Sequence, residues 1–160
     1  MGLLLPATAH AGAPDELVGL FIQSCLRFAG DVPALRDWAR KTGLSSVADP
    51  ARAAFLHGAP GQVFDGSAPD VKLALVSSDD GICSVVTDHA TSASVATALE
   101  AGFRQAGLGF RLVIERDDKT VSAIHDREYL AAKDKRGWRV LAATVKGDAQ
   151  GEAMLTAAPE

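Results

Sequence analysis

The sequence has no uninterrupted apolar run of the roughly 18 residues that a membrane-spanning helix needs, so no membrane span is expected. It has no stripe of Lys and Arg either. The 16 basic residues are outnumbered by 20 Asp and Glu, a net charge of -4, with a pI near 5.5. That balance argues against nucleic acid as a partner, because a nucleic-acid binder needs clustered positive charge. Cysteine is scarce: Cys25 and Cys83 stand alone, neither in a C-x-x-C pair, which removes the usual zinc and dithiol redox spacings.

Catalytic patterns are missing in the same way. No serine stands in a G-x-S-x-G elbow or an S-x-x-K arrangement. Beyond the N-terminal segment the histidines are His57, His89 and His125, and no HxH or HxxxH spacing links them to a metal. The paired carboxylates Asp79-Asp80 and Asp117-Asp118 fall in expected turns, where Asp bonds its own backbone. Gly58-Ala59-Pro60-Gly61 lacks the lysine of a phosphate loop. These patterns assign no catalytic residue, no metal and no cofactor.

What is present begins at the N-terminus. Met1 to Ala11 reads MGLLLPATAHA, an apolar start followed by small residues, with Ala9-His10-Ala11 as an A-x-A cleavage site before Gly12. This is read as the remnant of a secretory signal peptide, residues 1–11, ahead of one domain at 12–160. The leader is incomplete: no Lys or Arg precedes Arg27, and only Leu3 to Leu5 form an unbroken apolar run. The competing reading is a cytosolic N-terminus that mimics a leader. Export would place the chain in the periplasm or outside the cell, an oxidising setting in which Cys25 and Cys83 become candidates for one disulfide. Such a bridge closes a long loop and adds about 4 kcal/mol in the chain-entropy model. Two separately buried thiols remain the alternative.

Hydrophobic residues at 48% and charged residues at 22% describe an ordinary globular chain. Leu17, Phe21, Cys25 and Phe28 recur at helical spacing, and Gly30 suits the stop. Asp31 caps a second helix carrying Leu35 and Trp38. Asp49-Pro50 opens a third, carrying Phe55 and Leu56. After Ala59-Pro60-Gly61 the period changes from helix to strand. Val71 to Leu75 and Ile82 to Thr87 flank Asp79-Asp80-Gly81 as a hairpin. Thr91 or Ser92 caps a helix with Val95, Leu99 and Phe103 on one face. Three strands follow, Phe110 to Arg116, Val121 to Ala131 and Trp138 to Val145, then a short tail at Glu152 to Thr156 as an edge strand or docked end. The expected class is α+β: N-terminal helices packed on one face of a mainly antiparallel sheet of five to six strands, with a crossover helix.

The later strands carry mixed charge. Arg111, Arg127, Tyr129, Trp138 and Arg139 combine the residue types enriched at interface centres and form the candidate partner-binding surface. An ordinary solvated sheet face is the bland reading of the same residues.

Several segments together resemble a family of small, uncharacterised exported proteobacterial proteins, some of them classed as lipoproteins. The resemblance rests on Cys25 with Ala29-Gly30-Asp31, on Phe55-Leu56-His57-Gly58-Ala59-Pro60-Gly61-Gln62-Val63-Phe64, on Asp80-Gly81-Ile82-Cys83-Ser84-Val85, and on Glu152-Ala153-Met154-Leu155-Thr156. It implies export and paired cysteines, and carries no activity or cofactor. The function expected from all of this is a periplasmic or secreted binding or accessory protein rather than an enzyme. Its partner would be another envelope or secreted protein, in the manner of an inhibitor or immunity protein. The alternative is a small-molecule binder or weak hydrolase with a pocket between helices and sheet.

Overall fold

A computed structural model describes residues 12–159 of the chain, so the leader segment lies outside the described residues. Helix α1 (Ala13–Phe21) runs into a π-helical turn at Ile22–Leu26 and is followed by α2 (Val32–Lys41). Pro14 stands in the first turn of α1, with Asp15 and Glu16 at its positive end. The Asp31 carboxylate accepts from the Ala34 amide and caps α2 as the sequence suggests. Then come β1 (Ser45–Ser46), α3 (Ala51–Leu56), β2 (Gly61–Asp65), β3 (Leu73–Ser78) and β4 (Cys83–Ala90). Helix α4 (Ser92–Gln105) leads to β5 (Gly109–Asp117), β6 (Ile124–Lys133), β7 (Arg136–Val145) and β8 (Gly151–Pro159).

The strands form one 8-stranded sheet in the order β1-β2-β3-β4-β8-β7-β6-β5, and every neighbouring pair is antiparallel. This overturns the expectation of five to six strands. The tail is the main reason: β8 is a 9-residue interior strand, not an edge. Its alternating Ala153, Leu155 and Ala157 are all buried, but alanine has little β-propensity and gives a weak strand signal. The two-residue β1 lacks an apolar pattern altogether.

The helices do not share one face. Leu17 and Phe21 of α1, Leu35 of α2, and Val95, Leu99 and Phe103 of α4 join one core with Phe64, Leu75, Val85, Val140 and Leu155 of the sheet. Leu56 of α3 packs with Val63, Ala74 and Val76, the strand positions that point the other way. So α3 alone covers part of the second face. The crossover expected before β5 is α4, which carries the chain from the central β4 to the far edge. Its Thr91–Ser94 capping box begins it as the sequence suggests. Gly102 lets α1 ride close: a Cβ there would lie 2.6 Å from Val18 and 2.8 Å from Ile22.

Cys25, in the π-turn, and Cys83, opening β4, form a disulfide with Cα atoms 5.3 Å apart. It ties the first helix to the centre of the sheet. No helix among the described residues is long and apolar enough to cross a membrane.

Candidate functional site

The five residues singled out for a partner surface do not assemble as one patch. Tyr129 is fully buried and Trp138 nearly so. Burial pushes the Tyr129 phenol up, keeping it protonated to donate to Glu100 at 3.1 Å. Phe103 and Phe110 pack against its ring. Arg127 is committed inward: it donates to the Ser92 hydroxyl at 2.7 Å and to the Ser92 carbonyl at 3.1 Å, and pairs with Glu115 at 3.2 Å. Arg111 and Arg139 are exposed and flank Leu130 in register on the opposite face of the sheet.

Arg111, Arg139 and Trp138 nevertheless belong to one end of the molecule, where the structure gathers cations from distant segments. Arg136 stacks on Trp138, Arg27 on Phe28 and Arg104 on Phe110, with guanidinium carbons 5.1, 5.0 and 5.3 Å from the ring centroids. These are the arginine–aromatic stacks found among the described residues, and all lie at this end. Arg136 also donates to the Arg27 carbonyl at 3.3 Å, joining the β6–β7 hairpin to the end of the first helix. Lys133 donates to the Ala106 carbonyl at 3.0 Å, just past the end of α4. Lys135 sits in the hairpin turn between them.

The physical cause is twofold. The C-terminal ends of α4 and of the first helix leave carbonyls and negative dipole ends here, which favour cations. The aromatic rings give each guanidinium a flat platform, worth about 0.5–1 kcal/mol at an exposed site. Carboxylates interleave, Asp31 just after Phe28 and the Asp79-Asp80 turn among them. Glu100 pairs with Arg104, Glu128 with Arg139, and Asp134 lies in the hairpin turn. Arginines and lysines gather here in a chain whose total charge is -4.

Sequence reasoning missed Arg27, Arg104 and Lys133 because they come from three elements far apart in the chain. Two of the stacks had a local signal, the adjacent Arg27-Phe28 and the Arg136-Gly137-Trp138 step, whereas Arg104 lies on Phe110 and no short-range pattern marks that pair.

The other histidine and carboxylate candidates do not converge. His57 and His89 are exposed. His125 lies between Asp117, 3.1 Å from Nδ1, and Glu115, 3.1 Å from Nε2. The two nitrogens face opposite ways, so these carboxylates share no common point with the ring, and no metal-holding group occurs among the described residues. Lys146 pairs with Asp117 at 3.1 Å, extending the cluster into a ladder of ion pairs. Hydrogen bonds from His125, with Lys146 and Arg127 alongside, hold the Asp117 and Glu115 carboxyls below the usual carboxylate range. The ladder is satisfied within itself.

In comparisons with known proteins, no family model, no curated protein and no solved structure matches this chain.

Proposed function

We propose that this is an exported, non-catalytic binding protein that docks an acidic surface of another envelope or secreted protein with its basic end. One observation carries the reading. Arginines from three separate segments are each laid on an aromatic ring at the same end of an otherwise acidic molecule. Stacked arginines lose less freedom on binding and present planar forks that match carboxylates. Arginine with aromatic backing is also the composition of interface hot spots. The interleaved Glu100, Glu128 and Asp134 favour a protein of mixed charge over a uniform polyanion, which they would repel.

Export rests on the A-x-A leader pattern and on the resemblance of short motifs to those of exported proteins, and the disulfide supports an oxidising compartment. Intact mass of protein made from the full-length gene in its native host tests that half of the reading. Loss of residues through Ala11 supports export; an uncleaved chain with reduced thiols overturns it.

The docking half is tested by placing a photo-crosslinking residue at Lys135 or, as a control at another place on the surface, at His57. A discrete protein adduct from position 135, lost when Lys133 and Arg136 are changed to Glu, supports docking. Adducts to nucleic acid or lipid, or equal adducts from both positions, overturn it.

A further inference from the structure

The sheet face that α3 only partly covers carries a second site, at the opposite end of the strands from the basic end. We propose that the cleft between α3 and the sheet binds a small organic cation with an apolar body. The cleft has a volume of about 400 Å3, within the range of small-ligand pockets. Its apolar surface comes from Val47, Leu73, Ala74 and Val86, with Phe55 of α3 beside them. Phe55 is 37% exposed, although it is a large aromatic on a helix that packs against the sheet. A smaller recess of about 260 Å3 lies along the same helix and shares Phe55, Val86 and Glu152, adding Met154. Phe55 therefore borders both hollows.

The charge at this cleft selects the ligand. Asp65, Asp88 and Glu152 line it together with a single lysine, Lys72. Among the described residues none of these four forms a salt bridge. That contrasts with the ladder around His125, where each carboxylate has a basic partner. Ser67 hydrogen-bonds the Asp65 carboxylate and holds it below the usual range, so this side chain is ionised at neutral pH. An ammonium group placed over an apolar body would meet unneutralised carboxylates above and buried carbon below. A carboxylate or phosphate head would meet net repulsion.

The site is independent of the docking reading, since none of its residues belongs to the basic end. Octylammonium is the probe, with octanoate and octanol as matched controls, and the readout is the methyl resonances of Val47, Val86 and Met154 in the intact protein. Octylammonium at millimolar concentration is expected to shift these signals and to bind about tenfold more tightly than octanoate. Glu152→Lys, an exposed change with little bearing on folding, is expected to weaken octylammonium about tenfold and leave octanol unchanged. The double variant K133E/R136E should bind like the wild type. Octanoate binding as well as octylammonium, or signals that shift with protein concentration alone as in pairing of two copies, would overturn the proposal. So would an absence of shifts.

Discussion

The two halves of this protein follow one plan and are held together by different forces. Each is a helical segment leading into four antiparallel strands, β1–β4 in the first half, where α3 interrupts after β1, and β5–β8 in the second, and the halves join where β4 pairs with β8. In the first half β3 is buried along most of its length, with helices on both faces and the Cys25–Cys83 bridge behind it. In the second half no residue of β5 is fully buried, and the outer strands carry paired charges that meet α4 only at Ser92, through Arg127. Apolar burial and a covalent tie make a rigid base. Charge pairing leaves surface available for recognition, and the basic end is built mostly on the second half.

The sharpest test of that contrast is removal of the disulfide. Cys25→Ala with Cys83→Ala is expected to cost about 4 kcal/mol by the chain-entropy model, read as a lower urea midpoint. A loss confined to the second half in residue-level hydrogen exchange would break the comparison. Next comes the seam. Leu155 is fully buried in the central β8, and Leu155→Ala is expected to cost about 3 kcal/mol. Because β8 pairs with both halves, the unfolding should stay a single transition; two separated transitions would show that the halves are independent units.

Acid should affect the second half first. The Glu115 and Asp117 carboxyls are held below their ordinary range in the folded chain, chiefly by His125. Their contribution is therefore complete above the unfolded carboxylate pKa and fades as pH falls through the lower folded values. Amide protection at the far ends of β5 and β6 is expected to drop in that window while β3 stays protected. Glu115→Gln should remove part of the pH dependence. The smallest effect on stability is expected at the basic end: K133E/R136E should change it by about 0.5 kcal/mol or less, because both side chains are exposed. A much larger loss would mean that these cations hold the fold rather than serve recognition.

Much of the local structure was legible in the residues. The helical period of Leu17, Phe21 and Cys25, the Asp31 and Thr91 caps and the Asp79-Asp80-Gly81 hairpin all stand where their chemistry suggested. Asp49 departs from this: Pro50 takes the cap position of α3, and the Asp49 side chain instead clamps Arg52 at 2.9 Å. The alternation of β8 was present, but alanines carry it, and small residues that seat helices close to a sheet look like a weak strand. For the candidate site all five residues were named on residue type; Arg111 and Arg139 are exposed, while Arg127, Tyr129 and Trp138 lie inward. Residue type alone does not say which face of a strand meets the helices: Arg127, Tyr129 and Ala131 alternate onto the face that α4 covers, and Trp138 lies in register with Ala131.

By itself the sequence determined the order and kind of most elements, the scarcity of catalytic groupings and the acidic balance, because these depend on neighbouring residues and on totals. Only the tertiary structure decided that Cys25 meets Cys83, that the last segment fills the centre of the sheet, that α3 crosses to the second face, and that scattered arginines share one end. Those outcomes depend on which long-range pairings bury the most apolar surface while satisfying every strand's backbone, and no local pattern encodes that choice.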